Sequence, residues 1–377
     1  MYKEREISLW VLLPLLGLVG LIFCANLLPA DAQEWRQAAG PWKWVFPRDH
    51  GAHPEFRTEW WYFTGNLRDP AEKRFGYQLT FFRQGVVFEA KEPSSPWAIR
   101  DVYLAHFTLT DVSAGRFQYA ERVSRKGPGL AGADEKGMHV WLLNWMAKTE
   151  GKKISLEARQ QGMELSLDLV PRKPLVFHGD KGLSQKGPAA GQASYYYSYT
   201  DLETDGFIKT GLSQTPVRVN GVSWLDHEFG SNQLTPEQVG WDWFSLHLSD
   251  GQDLMIYFLR RKDGTVEPSS SGTLVTRSGG SIHLKLSEIG VEVLDFWKSP
   301  KSGGKYPSRW KVSIPAAKIE LEINPLVASQ ELLTEGSTGV TYWEGAVAGK
   351  GTSAGKPVTC EGYVELTGYA GSLGGLF

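Results

Sequence analysis

The sequence predicts an all-β protein of antiparallel barrel or sandwich architecture. Three observations carry that prediction. Short alternating segments recur from Trp42 onward, with few stretches of helical period. The chain holds 15 Trp, 14 Tyr and 17 Phe together with 42 Gly, a pairing that suits short twisted strands joined by tight turns. Turn pairs such as Gln161-Gly162 stand between the alternating runs at hairpin spacing. At 377 residues the chain is long enough for two domains or for one large β domain.

The elements follow in order. Glu59–Leu67 is aromatic and β-branched, and Arg74–Phe82 alternates until Gln84-Gly85 interrupts it. Val102–Thr110 alternates with His106 inside it. Arg116–Arg122, Gly137–Asn144, Lys153–Gln160 and Met163–Val170 continue the series. Pro171–Gly191 is a break rich in Gly, Pro and Lys, after which Ser194–Tyr199 and Gly206–Gly211 resume. Val217–Leu225 is a strand that delivers Asp226, His227 and Glu228 at its end. Leu234–Glu237 reads as a linker, so the expected organisation is a segment 1–32, a β domain 33–235 and a second β domain 236–377. In the second half, Trp241–Leu248, Asp253–Arg261, Gly272–Arg277, Ser281–Leu286, Trp310–Ile314, Ile319–Ile323, Thr341–Val347 and Thr359–Thr367 read as strands. Pro300–Pro307 and Gly349–Pro357 read as loops. Trp343-Glu344-Gly345 faintly echoes Trp61–Gly65, as two tandem β modules would.

A net charge of −2 and a pI near 6.5 exclude the basic excess of a nucleic-acid binder. Lys3 and Arg5 precede an uncharged apolar run from Ile7 to Ala30, and Ala30-Asp31-Ala32 offers small residues for a signal peptidase before Gln33. The expected location is the periplasm or the medium. The run is also long enough to span a bilayer, so the alternative is an uncleaved inner-membrane anchor at 7–30 with the fold on the outer side. Cys24 lies in this run after a bulky Phe23, which argues against a lipoprotein site. Cys360 then has no disulfide partner and reads as a small buried apolar residue.

The chemistry concentrates in Gly221–Trp243, where Asp226, His227, Glu228 and Asp242 lie among Trp224, Trp241 and Trp243. Burial against indoles raises a carboxyl pKa and keeps an acid protonated near neutrality. On a strand, Asp226 and Glu228 share one face and His227 takes the other. His53–Tyr62 reads as the partner stretch of the same pocket; Glu55 and Glu59 share a face there, with Arg57 placed to neutralise both. The non-catalytic reading is a polar cluster with ion pairs to Arg57 or Arg83. Asp226, His227, Glu228 and Asp242 are the candidate catalytic residues. Glu59, Trp60, Tyr62, His106, Tyr197, Trp224, Trp241 and Trp243 are the candidate ligand contacts. His227-Glu228 does not extend to a helical zinc-protease motif, because Ser231 stands where the second histidine belongs. Gly351–Gly355 fits the nucleophile-elbow string but sits in a polar segment ended by Pro357. No metal and no cofactor are expected.

Taken together, HPEFRTEWWYFTGNL from His53, HFTLTD at His106, YYYS at Tyr195, GVSWLDHEFG from Gly221, GWDW, YWEG and GYVELTGY resemble the secreted lipocalin-like family. That family includes AttH-like proteins and carotenoid 1,2-hydratases (hydroxyneurosporene synthases). The resemblance implies two tandem lipocalin-like antiparallel β-barrels. It implies either an apolar-molecule carrier, serving in some members beside a lipoprotein-exporting ABC transporter, or an enzyme that adds water to an isoprenoid double bond. In the second case a carboxyl of Asp226, Glu228 or Asp242 would protonate the alkene, a Trp would stabilise the cation and His227 would guide water. A hydrolase, which some family names suggest, ranks last for want of a nucleophile–base pair.

Overall fold

The alternating runs become long strands in two antiparallel sheets. The computed structural model describes residues 35–88, 95, 98–211, 215–232 and 234–373. The signal or anchor segment 1–32, with Cys24, lies outside the described residues. Among the described residues no helix is long and apolar enough to cross a membrane.

The first sheet comprises β1 (Thr58–Arg68), β2 (Arg74–Gly85), β3 (Asp101–Asp111), β4 (Arg116–Arg125), β5 (Ala131–Ala133), β6 (His139–Leu142), β7 (Trp145–Glu150), β8 (Lys153–Gln160), β9 (Met163–Pro171), β10 (Val176–Phe177), β11 (Leu183–Gln185), β12 (Ala193–Lys209) and β13 (Val217–Gly230). Its order is β4-β3-β2-β1-β13-β12-β9-β8-β7-β6-β5, with β10 and β11 also on β12. The second comprises β14 (Gln238–Leu248), β15 (Asp253–Arg261), β16 (Ser271–Val275), β17 (Ser281–Lys285), β18 (Gly290–Lys298), β19 (Lys305–Ile314), β20 (Ile319–Pro325), β21 (Glu331–Leu333), β22 (Thr341–Ser353) and β23 (Lys356–Leu366). Its order is β17-β16-β15-β14-β23-β22-β20-β19-β18, with β21 on β22.

Each sheet curls into a nearly closed barrel. Arg122 on β4 reaches across the gap to the carbonyls of Leu142 and Arg159, with its guanidinium 4.3 Å from the Trp145 ring centre. Both interiors are filled by side chains. Trp61, Phe63, Phe81, Phe107 and Trp145 are buried in the first, and Phe244, Trp310, Trp343 and Val347 in the second. A fully buried side chain of this kind contributes about 1.5–3 kcal/mol. A third cluster is made by the opposite faces of the same strands, where Tyr62, Tyr196, Trp224, Trp243, Tyr257 and Tyr363 meet between the sheets. A cavity lies at this seam between the sheets.

Several boundaries differ from the sequence reading. Ser194–Tyr199 and most of Gly206–Gly211, as far as Lys209, belong to one strand, β12, with a bulge between Tyr199 and Leu202. β13 does not end at Leu225 but carries Asp226–Gly230 in register. Gly349–Pro357 is not a loop: β22 and β23 pair through it and turn at Ala354 and Gly355, both at positive φ, so the G-x-S-x-G string is a hairpin tip. β18, exposed along much of its length, had no alternating apolar signal. The Gln161-Gly162 hairpin is present, with φ of 51° and 82°.

Residues 35–57 close one end of the first barrel. Trp42, Trp44 and Phe56 pack on Tyr195 and Phe229, and the Trp61 indole donates to the His50 carbonyl at 3.0 Å. Glu59 is the hub of this end. Its Oε1 meets His53 Nδ1 at 2.8 Å and His227 Nε2 at 2.9 Å; its Oε2 accepts from the His53 backbone at 2.9 Å and from Arg83 Nε at 3.1 Å. Arg83 also pairs with Asp101 at 2.9 Å and donates to the Phe56 carbonyl at 2.6 Å. Burial alone would raise the Glu59 pKa; His53, His227 and Arg83 outweigh it and hold the carboxyl below its ordinary value. Arg57 is not the neutralising cation. It is exposed, and Glu55 precedes the strand and pairs at the surface with Arg36 and Arg48.

Arg83→Met would remove the guanidinium that Glu59 and Asp101 share, and breaking a buried pair of this kind typically costs about 3–5 kcal/mol. Arg57→Ala is expected within about 0.5 kcal/mol of the parent. Guanidinium unfolding midpoints of the two variants test this; equal shifts would remove Arg83 from the hub.

Candidate functional site

Strand register assembles the site. Across β1, β13 and β12 the aligned rows are Tyr62–Asp226–Ser198 and Trp60–Glu228–Tyr196, both facing the seam. The row between them, Trp61–His227–Tyr197, faces the first barrel. From the second sheet, Trp243 pairs with Glu365 on one side and Tyr257 on the other, and Glu365 pairs with Glu344. These rows meet around a cavity of ≈ 100 Å³. One water needs about 10–15 Å³ on such a measure, so the space holds about seven to ten waters or the end of an apolar chain. Trp60, Tyr62, Trp241 and Trp243 line it with Asp226 and Glu228; Phe82, Leu234 and Leu259 complete the apolar wall.

Asp226 is buried in the seam. Its Oδ1 accepts from Trp224 Nε1 at 2.6 Å and from the Ser198 hydroxyl; its Oδ2 accepts from the Tyr196 hydroxyl at 2.5 Å. All three donors are neutral. Burial pushes the Asp226 pKa up to about 7 against the lowering effect of these hydrogen bonds. Glu365 follows the same rule. Burial raises it to about 7, opposed by a 2.5 Å bond from Trp241 Nε1 and reinforced by the negative charge of Asp226. Behind Tyr62, whose hydroxyl donates to Glu344 at 2.8 Å, burial raises Glu344 well above the ordinary range. Glu228 differs: it pairs with Lys186 at 3.1 Å and accepts from the Ser194 hydroxyl.

The expected site residues thus divide. Trp60, Tyr62, Asp226, Glu228, Trp241 and Trp243 line one cavity, and Trp224 stands behind Asp226 as its donor. Glu59, His227 and Tyr197 are brought together on the other face of β13, where Tyr197 Oη lies 2.9 Å from His227 Nδ1 and 2.7 Å from His50 Nδ1. They cannot act on a ligand held at Asp226. Asp242 faces away from the cavity, ion-paired to Arg260 at 2.9 Å and bonded by the Tyr369 hydroxyl at 2.9 Å. His106 lies elsewhere in the seam, 2.7 Å from the Tyr342 hydroxyl.

Sequence reasoning missed Tyr196, Lys186, Tyr257 and Glu365. Tyr196 and Glu365 sit inside the YYYS and GYVELTGY segments, where alternation could have nominated them. Lys186 lies in the Gly/Pro/Lys-rich break, which carries no such signal.

His53, Glu59 and His227 could by type and spacing hold a metal ion. In the geometry present, protons bridge those atoms, Arg83 takes the second Glu59 oxygen, and Glu59 with Asp49 keeps the His53 pKa raised against burial. His178 Nε2 meets the Ser198 hydroxyl at 2.7 Å, yet the serine stands between histidine and Asp226. A nucleophile triad needs the histidine in the middle.

Comparison with known proteins places this geometry in a family. An AttH protein from Nitrosomonas europaea shares 34% identity at a TM-score of 0.78, with 89% of this chain and 99% of that one covered. Kievitone hydratase from Nectria haematococca is similar at 15% identity and TM-score 0.66, over 87% and 93% of the two chains. CghA is similar at 14% identity and TM-score 0.51, over 91% and 96%. At such identities the last two show a shared fold. No curated protein matches the chain. The AttH-like family model matches residues 37–369, and the chain belongs to the AttH-like family.

Proposed function

We propose that the seam cavity binds the unsaturated end of an apolar, isoprenoid-like molecule and adds water across its double bond. The observation that carries this reading is Asp226: a carboxyl that titrates near neutrality, held by neutral donors and opening onto indole and phenol rings. Asp226 in its acid form gives its proton to the less substituted alkene carbon, and the π pair becomes the new C–H bond. The adjacent tertiary cation lies among Trp60, Trp241 and Trp243, whose faces attract positive charge. Water adds to that carbon, and its surplus proton passes to the Glu365 carboxylate. Asp226 and Glu365 line the same cavity and the negative charge of one raises the other, which suits this division of acid and base. Transfer of the proton from Glu365 back to Asp226 through water resets the site. Kievitone hydratase, similar in fold, carries hydration in its name, which agrees with the reading.

Binding without chemistry is the second reading, favoured by the apolar wall. Such a carrier would hand its ligand to a partner, an ABC transporter of the lipoprotein-exporting kind being the one the family resemblance suggests. Under either reading the chain works outside the cytoplasm, on the strength of the apolar run in 1–32.

Two measurements follow. Asp226 titrates near 3.8 unfolded and near 7 folded, so the folded state holds the extra proton between those values. The Asp226 contribution to stability therefore falls as pH rises from about 4 to about 7. Asp226→Asn removes that slope, and its stability relative to the parent should improve by about 4 kcal/mol between pH 4 and 7.5. Parallel pH profiles in urea would mean that Asp226 is ionised throughout.

The second uses N,N-dimethyloctylamine, a cation at all these pH values and a mimic of the tertiary cation. Its affinity should rise about tenfold or more between pH 6 and 8 as Asp226 and Glu365 lose protons. Asp226→Asn should weaken that rise and reduce alkene hydration by about 10²–10⁴. A flat pH profile, or hydration unchanged in Asp226→Asn, excludes the acid–base mechanism; neutral-ligand binding that survives with no hydration in the parent leaves the carrier.

A further inference from the structure

The mechanism above leaves one buried charge pair in the cavity wall unused. Lys186 is 7% exposed, and its Nζ lies 3.1 Å from Glu228 Oε1. The rest of its ammonium faces rings, at 4.1 Å from the Tyr257 centroid and 5.2 Å from that of Tyr196. The backbone is fixed on both sides: the Lys186 amide donates to the Gln192 carbonyl at 2.8 Å, and its own carbonyl accepts from Gln238 Nε2 at 2.6 Å. Glu228 Oε1 is shared between Lys186 and the Ser194 hydroxyl. Among the described residues its Oε2 has no hydrogen-bond donor, and the side chain lines the cavity. An ammonium whose remaining N–H groups meet only ring faces therefore stands beside a carboxylate with an unused oxygen, and both side chains line the cavity.

We infer that the Lys186–Glu228 pair is a polar subsite that recognises a hydroxyl on an otherwise apolar ligand. This rests on the hydration reading and names its substrate class: an unsaturated, isoprenoid-like alcohol or enol, not a pure hydrocarbon. A hydroxyl accepts from Lys186 through its oxygen and donates to Glu228 through its proton, which satisfies both members at once. A hydrocarbon would strip water from the pair and replace it with nothing, leaving buried polar groups unsatisfied. Sites built to bond a hydroxyl reject the analogue that lacks it far more strongly than apolar pockets reject an extra methylene. Here the two groups partly satisfy each other, so the discrimination expected is about tenfold, well short of that limit. Spacing supports the assignment. Glu228 and Asp226 are two residues apart on one face of β13, roughly 7 Å along the strand. The hydroxyl is thus set at that distance from the double bond that Asp226 protonates. Geraniol spans a similar separation between its hydroxyl and its terminal alkene.

The test compares geraniol, geranyl methyl ether and the parent hydrocarbon 2,6-dimethylocta-2,6-diene. Binding is read from the fluorescence of Trp60, Trp241 and Trp243 in the purified protein. Geraniol should bind about tenfold or more tighter than the hydrocarbon, with the ether, which accepts but cannot donate, in between. The variant is Lys186→Met with Glu228→Met, an apolar replacement of a buried ion pair that is commonly neutral or stabilising. In it the preference should fall below about threefold while hydrocarbon affinity holds or improves. Equal affinities in the parent, or a preference that survives in the double variant, overturn the subsite while leaving hydration intact. If none of the three binds, the apolar-ligand reading fails and the subsite falls with it.

Discussion

The two-residue period of β13 is the constraint on which the rest depends. Successive side chains must point to opposite faces, so the run from Trp224 to Phe229 is divided between two environments. Trp224, Asp226 and Glu228 meet the second sheet, while Leu225, His227 and Phe229 meet the first barrel and its plug. A slip of one residue would exchange every one of these contacts. Each face resists that slip independently. On one face His227 is locked between Glu59 and Tyr197; on the other Asp226 is locked by Ser198, Tyr196 and Trp224. The segment 35–57 lies on the other face of β13 from Asp226, and through Glu59 and His227 it holds the register that aims Asp226 into the seam.

The two faces also show what decides the charge of a buried carboxyl. Glu59 and Asp226 are comparably buried, and desolvation is the largest influence on both. Glu59 has an arginine and two histidines around it and is held ionised. Asp226 has hydroxyl and indole donors only, and its pKa climbs to about 7. Glu365 and Glu344, likewise without a close cation, move the same way. At Asp226 the hydrogen bonds from neutral groups oppose desolvation without overcoming it; at Glu59 the charges of His53 and Arg83, with the hydrogen bonds of both histidines, overcome it. One strand therefore carries a structural ion network on one side and a titrating acid on the other, and the difference lies in the neighbours.

Much of the fold was legible from the sequence because the signals were local. Alternation located most strands, Gln161-Gly162 marked a hairpin, and the position of Asp226 and Glu228 on one face followed from strand period alone. What failed depended on partners distant in sequence. β12 reads as two fragments because its bulge mimics a break, and Gly349–Pro357 looks like a loop because both hairpin arms are polar and exposed. Arg57 seemed the partner of Glu59 by proximity along the chain, while Arg83 holds that place through the β1–β2 register. Asp242 and Asp226 looked equivalent in a Trp-rich stretch. A one-residue offset from Trp241 and Trp243 turns Asp242 toward Arg260 and out of the cavity. Lys186 could not be found at all, since only the fold brings it to Glu228.

The position of the cavity follows from how each barrel is filled. Tryptophans, phenylalanines and branched residues pack both interiors, and the cavity lined by Asp226 lies at the seam between the sheets. An isolated barrel would dress its outer strand faces with polar residues. Here the outer faces of β1, β12, β13, β14, β15 and β23 carry aromatic residues as well as carboxyls, which is tolerable only because each sheet covers the other. Covering removes water from the carboxyls and concentrates rings around them in a single step. Packing of two sheets thus creates both properties required of an acid working on an apolar molecule: a proton retained near neutral pH and a wall that attracts a developing cation. Each sheet contributes a carboxyl and rings, and each needs the other's cover. Asp226 and its donors come from the first sheet, while Trp241, Trp243, Tyr257 and Glu365 come from the second.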